Sequence, residues 1–509
     1  MIDFRRESPP PMTPEADAET SLLPRLGLAA GPLVFVILLL LPPPAGLTPA
    51  AWAVAAAAAL MVIWWITEAL PVAVTALVPI VAFPLLGVVD VKEATAPYAH
   101  PLIFLFLGGF LIAKAVERWN LHRRLALSLL TVVGSSPARL IGGFMAATAL
   151  LSMWLSNTAT TIMMVPIALA VVALLENGGD GESSGGATPG ASDGFGLALL
   201  LGIAYAASLG GLGTLIGTPP NALLAAFLAE RYEITIGFAQ WMLLGVPLAV
   251  ALLFLTWLLL TRLAFRIDRR PIAGAAETIA GQLRALGPPR REERLVALVF
   301  VVVALLWITR PLLNDLLPAL QLSDTIIALA GGIVLFVIPA DLRRGVFLMN
   351  WQTAKQLPWG VLLLFGGGLS LASAIQASGL AAWIGEVLAG CSGWPVVALI
   401  LLITAVVVFL TEVTSNTATA SVFIPIAATL GACISADPMI FAVPAALAAS
   451  CAFMMPVATP PNAIVYASGY IRIPQMAKAG FLLNLLCILV ITGAAYAAVG
   501  WIFGTFLPE

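Results

Sequence analysis

The sequence predicts an all-α polytopic membrane protein of about 11 transmembrane helices plus two re-entrant hairpins, in two inverted repeats with broken helices at the midplane. Two observations set this class. Apolar residues fill 61% and charged residues 10% of 509 positions, with a mean hydropathy of +1.03, and a soluble chain of this length needs a far more charged surface. Within that apolar sequence Ser-Asn-Thr occurs twice, at Ser156-Asn157-Thr158 and Ser415-Asn416-Thr417, and each copy is followed by Thr-Pro-Pro-Asn, Thr218 to Asn221 and Thr459 to Asn462. Hydrocarbon cannot satisfy small polar side chains or broken backbone, so they persist there only inside protein or around a wet cavity. A duplicated polar site of this kind points to a transported solute.

In chain order, residues 1–25 are polar, carry Arg5, Arg6 and Arg25, and lack the apolar stretch of a signal peptide. They read as a cytoplasmic tail. A first repeat with its scaffold helices follows over 26–263, with spans near 26–42, 51–67, 71–88 and 101–118, a hairpin at 139–174, a Gly/Ser-rich inserted loop at 177–194, a broken helix at 196–230 and a span at 238–263. A cytoplasmic linker, 264–293, leads to the second repeat, 294–509, with spans near 294–311, 322–339 and 358–376, a hairpin at 398–433, a broken helix at 437–470 and a last span at 478–505.

The repeat is visible in register. An offset of 259 maps Gly108-Gly109 onto Gly367-Gly368, Leu121 onto Leu380, Ser152 onto Thr411 and Pro166 onto Pro425, along with the two Ser-Asn-Thr copies. Asn157 and Asn221 are 64 positions apart, Asn416 and Asn462 only 46, and the surplus of 18 coincides with the inserted loop. Lys and Arg cluster at Arg118 to Arg124, Arg262 to Arg294, Arg343-Arg344 and Arg472 to Lys478. If both hairpins enter and leave on one side, every cluster falls on the cytoplasmic face, with the N-terminus cytoplasmic and the repeats inverted. Two helices of about 15 residues per hairpin reach roughly 23 Å, so the tips, Ser-Asn-Thr, stop within the bilayer.

At such a tip, Ser, Asn and Thr suit the start of a helix whose free N–H groups and positive dipole end face the midplane. An anionic oxygen fits there. Carbonyls at the end of the incoming helix, with Ser, Thr and Asn side chains, are the hard neutral ligands that sodium prefers. Ser152 and Thr411 add a hydroxyl one turn earlier. The prolines of Thr-Pro-Pro-Asn break their spans, helped in the first copy by Gly210, Gly211, Gly213 and Gly217. The expectation is two ion sites flanking one anion site.

Other chemistry is sparse. Glu412 aligns with Met153, so it lies outside the duplicated pattern; it reads either as a proton-sensitive or as a structural group. Glu68 reads as an interfacial anchor, and Lys114 and Glu117 as snorkelling charges at a span end. Cys391, Cys433, Cys451 and Cys487 lack metal or redox spacing and read as small buried hydrophobes, while His100 and His122 flank a single span. No nucleophile–base motif is present, so the chain is not read as an enzyme. A formal charge of −2 points to no nucleic-acid partner, and a passive anion channel would need basic pore rings that are missing.

The Ser-Asn-Thr and Thr-Pro-Pro-Asn pairs, the Trp-Ile-Thr-Glu-Ala-Leu-Pro run from Trp65 and the stretch Ser450 to Val465 together resemble the divalent anion:sodium symporter family, the last fitting its sodium-symporter signature throughout. The likeness covers roughly 50–505. It implies a homodimer in a bacterial inner membrane, moving its site by an elevator-type displacement, with sodium as coupling ion and no organic cofactor. Carried over by residue, one sodium site would use Ser152, Ser156, Asn157 and the Gly217 backbone, and the other Thr411, Ser415, Asn416 and the Ala458 backbone. Substrate would meet Asn157, Thr158, Asn416 and Thr417, with Thr218, Pro219, Thr459 and Pro460 closing the pocket. The favoured cargo is a C4-dicarboxylate (succinate, malate or fumarate); an exchanger, or a citrate or sulfate carrier of the same fold, is the alternative.

Overall fold

The computed structural model describes residues 22–177, 194–267, 270–388, 394–434 and 437–503. Most of the tail, the interior of the inserted loop, Cys391 and the extreme C-terminus lie outside them. Helices dominate, and among the described residues the only strands are β1 (Pro339–Asp341) and β2 (Val346–Phe347), an antiparallel pair.

The chain opens with α1 (Leu22–Leu40) and α2 (Pro49–Thr67), the latter capped by Thr48, whose hydroxyl accepts the Ala51 N–H at 3.1 Å. The expected span at 71–88 is instead two short helices, α3 (Val72–Thr75) and α4 (Val78–Leu85). Pro71 and Pro79 each sit where a helix can begin but not continue, which explains the interruption. Next come α5 (Val91–Thr95), α6 (Pro101–Arg118) and α7 (Leu121–Leu130), then the first hairpin, α8 (Pro137–Ser152) and α9 (Asn157–Asn177). The first broken helix is α10 (Gly194–Gly211) and α11 (Pro219–Tyr232), and α12 (Phe238–Leu258) closes the half.

The linker is not featureless, for it holds α13 (Ala275–Ala285), packed on α7 and α9. The second half runs through α14 (Arg291–Leu316), α15 (Asp324–Val337), the β pair, α16 (Trp351–Ala354), α17 (Trp359–Ala377) and α18 (Leu380–Leu388). Its hairpin is α19 (Val396–Leu410) and α20 (Asn416–Cys433), its broken helix α21 (Pro438–Ala449) and α22 (Pro460–Tyr466), and the chain ends in α23 (Ile473–Ala494) and α24 (Gly500–Phe503). The incoming hairpin helices match the expected length at 16 and 15 residues, but the outgoing ones are longer, 21 and 18. Pro166 and Pro425 lie inside them in repeat register without ending them.

Eight helices among the described residues are long and apolar enough, by length and composition, to cross a membrane. Burial separates their roles. α10 and its repeat mate α21 are buried along nearly their whole lengths, whereas α14 faces mostly outward with leucines and valines exposed. An apolar exterior around a buried centre suits hydrocarbon rather than water. A second, smaller core joins α2 to α17 through Val54, Met61, Trp65, Leu364 and Leu371 and reaches Ala418 on the second hairpin.

Cross-chain contacts gather the basic clusters at one end. Arg124 pairs with Glu293 at 2.5 Å, Trp119 Nε1 donates to the Leu348 carbonyl at 2.8 Å near Arg343-Arg344, and Ile272 N donates to Ser135 O at 2.9 Å. Gly194 abuts Arg266, and Gly196 abuts Tyr470, two residues before Arg472. The start of α8 and, through Leu174 beside Gly274, the end of α9 lie at this basic end. At the other end, His100 and Glu230 face each other at 3.6 Å beside Ser373 and Ala377, where α17 leads into α18. The matched helices α6 and α17 therefore run in opposite senses, which is the geometry of inverted repeats. Lys114 and Glu117, at the end of α6, pair with each other at 2.9 Å.

Candidate functional site

Each hairpin tip is a short turn between two helices. In the first, α8 ends at Ser152 and α9 begins at Asn157, with the Ser156 hydroxyl accepting the Ala159 N–H at 3.2 Å as a helix cap. In the second, Ser415 takes the same position without a side-chain cap bond. Neither motif ends the incoming helix directly, since four residues precede Asn157 and five precede Asn416 after the helix stops.

The hydroxyl one turn earlier is the centre of each tip. Ser152 Oγ lies 2.6 Å from Asn157 Oδ1 and 2.7 Å from the Ala207 carbonyl. Thr411 Oγ1 lies 2.8 Å from Asn416 Oδ1 and 2.9 Å from the Ala449 carbonyl. Both hydroxyls are fully buried. A hydroxyl has one proton, so it donates in full to only one of the two oxygens or is shared between them. Three oxygens gathered in this way are a candidate set of ligands for a hard cation.

The breaks close over these clusters. In the first, Asn221 Nδ2 donates to the carbonyls of Thr214 at 2.8 Å and Gly211 at 3.1 Å, folding 212–218 back on itself. A Cβ on Gly211 would lie 3.0 Å from Gly217 O, 3.1 Å from Asn157 Oδ1 and 3.3 Å from Thr218 Cβ, so glycine is what allows these groups to converge. In the second, Asn462 Nδ2 donates to Met455 O at 3.0 Å and Ala452 O at 3.2 Å, and Thr459 Oγ1 accepts the Asn462 N–H at 3.3 Å. The amide oxygens of Asn221 and Asn462 are both buried without a partner.

The two halves touch where Thr218 Oγ1 meets Ser450 Oγ at 3.2 Å. From Asn157 a run of neighbouring residues leads by Gly211 and Thr218 to Ser450, Ala449, Thr411 and Asn416. The second halves of the breaks are exchanged: α11 packs on α20 and α21, and α22 on α9 and α10. Asn157, Thr158, Asn416 and Thr417 are half-buried, neither sealed nor turned out. Thr218, Thr459, Gly217 and Ala458 are buried, Pro219 is half-buried and Pro460 exposed. Ser156 is exposed and occupied as a cap. A cavity of about 590 Å3 lies by none of these residues but beside His100, Glu230 and Glu93 at the end opposite the basic clusters.

Sequence reasoning missed Ala207 and Ala449. The signal was present: Ala-Ala-Ser precedes both breaks, at Ala206 to Ser208 and Ala448 to Ser450, one residue out of register. It also left Glu412 open. That carboxylate is buried and accepts from Phe453 N at 2.6 Å, Asn484 Nδ2 at 2.7 Å, Met454 N at 3.0 Å and Met455 N at 3.2 Å. Such a shell supports the structural alternative. Cys451 and Cys487 are buried thiols.

Two inverted hairpins meeting two broken helices at a shared polar centre define a membrane transporter. Residues 25–503 match the family model described as sodium:sulfate symporter transmembrane region. The chain belongs to the divalent anion:sodium symporter family. It is 44% identical over 481 residues to a protein of Staphylococcus saprophyticus named sodium-dependent dicarboxylate transporter SdcS, covering 94% of this chain and 92% of that one. The protein of the same name from Staphylococcus aureus is 43% identical over 484 residues, with the same coverage. In fold the chain is similar to the Neisseria gonorrhoeae MtrF structure (TM-score 0.58, 12% identity, 95% and 96% of the two chains) and to the Alcanivorax borkumensis YdaH transporter (0.54, 17%, 82% and 88%).

Proposed function

We propose that this protein is a sodium-coupled symporter of C4-dicarboxylates such as succinate, malate and fumarate, acting in a bacterial inner membrane. The observation that carries the reading is the matched pair of proton-poor oxygen clusters, Ser152–Asn157–Ala207 and Thr411–Asn416–Ala449. Each takes one sodium ion, with Gly217 and Ala458 adding backbone oxygens and Ser156 and Ser415 completing the sets. The relatives named for sodium-dependent dicarboxylate transport support the choice of ion and cargo.

Between the ions, Asn157, Thr158, Asn416 and Thr417 offer amides and hydroxyls at the starts of α9 and α20, one for each carboxylate of a four-carbon diacid. Thr218, Pro219, Thr459 and Pro460 bound the pocket. Burying a dianion alone costs several kcal/mol per charge, and a potential negative inside adds about 2.3 kcal/mol per charge per 100 mV. Bound cations offset both, so sodium enters first. In this reading 26–263 and 294–509 are the two repeats, joined by the cytoplasmic linker 264–293, and the N-terminus is cytoplasmic. The hairpins and broken helices slide by an elevator-type displacement within a homodimer.

Labelled succinate uptake into proteoliposomes, with and without an inward sodium gradient, tests this. Gradient-dependent uptake that citrate and sulfate compete with only weakly is the expected result. Uptake indifferent to sodium but stimulated by internal dicarboxylate would make the protein an exchanger, and preferential competition by citrate or sulfate would reassign the cargo.

A further inference from the structure

We propose that Glu412 is the positioning residue of the second cation site, and that this site, unlike the first, is held in shape by a buried charge. The inference deepens the sodium reading above and rests on it. Three consecutive N–H groups, of Phe453, Met454 and Met455, converge on the two carboxylate oxygens, and Asn484 of α23 donates a fourth hydrogen bond. Every partner is a donor, so the group acts as an acceptor on both oxygens, as a carboxylate does. Consecutive unpaired N–H groups closing on one anion form a rigid concavity.

The clamp reaches the ion ligands by short steps. Met455, held by its N–H, uses its carbonyl to accept from Ala458 N at 3.2 Å and from Asn462 Nδ2 at 3.0 Å. Ala458 supplies the backbone oxygen assigned to the second ion, and Thr411, the hydroxyl of that site, is the neighbour of Glu412 in the chain. Tyr205, reaching across from α10, donates to the Phe453 carbonyl at 3.0 Å, so the same peptide is gripped on both sides. Without the carboxylate, three N–H groups, one buried and two part-buried, lose their acceptor, 451–458 loosens and the Ala458 carbonyl drifts from the cluster at Thr411.

In the first half the corresponding residue is Met153, whose backbone carbonyl accepts from Thr214 Oγ1 at 2.5 Å. Asn221 and Trp241 hold the rest of that break through carbonyls, Trp241 Nε1 lying 3.0 Å from Leu212 O. The duplicated architecture thus has one neutral clamp and one anionic clamp.

The test uses the purified full-length protein and follows its melting temperature against sodium chloride, with choline chloride holding ionic strength constant. Glu412→Gln keeps the shape but turns an amide NH2 toward backbone donors. The half-saturating sodium concentration should rise about tenfold, while the succinate KM in transport assays at saturating sodium stays within about twofold. A lower melting temperature with unchanged sodium half-saturation would reduce Glu412 to a structural group and overturn the proposal. Asn484→Ala, which leaves the carboxylate and its three backbone donors, should shift sodium half-saturation in the same direction by a smaller factor. If Glu412→Gln does not fold, the absence of that shift in Asn484→Ala overturns the proposal. A parent protein with no sodium-dependent melting shift would remove the sodium reading itself, and this inference with it.

Discussion

The two hairpin tips share a plan and differ in what surrounds them. At the first, Trp154 is wedged among Phe238, Phe300 and Trp307, with ring centroids 5.8, 5.0 and 6.5 Å away, so the tip is clasped by α12 and the outward-facing α14. Asp324 reinforces the clasp by accepting the Phe238 N–H at 2.9 Å and pairing with Arg310 at 3.0 Å. At the second tip the corresponding residue is Val413, 65% exposed. Duplication preserved the oxygens that meet the proposed cargo and ions, whereas the supports around them diverged: an aromatic clasp on one side, a buried carboxylate on the other. Chemistry at the centre is constrained by the solute, and packing at the rim only by having to hold a shape.

If that division is correct, variants at the centre should behave alike in both halves and variants at the rim should not. The largest effect is expected for Asn157→Ala and Asn416→Ala, each of which removes an oxygen proposed above to meet both ion and substrate. Sodium-driven succinate uptake should fall by about two orders of magnitude in either. A large loss in one and none in the other would break the symmetry of the centre. Ser152→Ala and Thr411→Ala should each raise half-saturating sodium by about tenfold, about 1.4 kcal/mol, because a buried oxygen of the proposed ion site is lost while the amide and carbonyl remain.

At the rim the pair should part. Trp154→Ala should destabilise the folded protein by about 3 kcal/mol, read as a lower melting temperature in detergent, and Val413→Ala should be near neutral. Equal destabilisation would mean that the clasp carries no more than an exposed valine does. A small effect is also expected for Met153→Leu, a swap of similar volume whose backbone carbonyl still accepts from Thr214; its change should stay below about 1 kcal/mol.

Much of this was readable from the chain. Ser-Asn-Thr and Thr-Pro-Pro-Asn stand out because polar triplets and paired prolines are costly in apolar sequence, and the offset of 259 aligns α6 through α9 with α17 through α20. What stayed hidden depends on distance along the chain. The Thr218–Ser450 contact joins residues 232 positions apart, and the partners of Glu412 lie 41 to 72 positions downstream. No local pattern encodes them. The division of 71–88 into α3 and α4 was legible in Pro71 and Pro79, but uniform hydropathy across the segment masked it. α13 was hidden for the opposite reason, a short amphipathic helix amid charges that read as a linker.

The central claim is that cations seated at Ser152–Asn157 and Thr411–Asn416 create the site that an organic dianion then occupies. Equilibrium binding of labelled succinate to the purified protein, in sodium chloride and in choline chloride at equal ionic strength, tests it most directly. The account predicts binding at least about tenfold tighter in sodium, a coupling of about 1.4 kcal/mol or more; equal affinity in the two salts would contradict it.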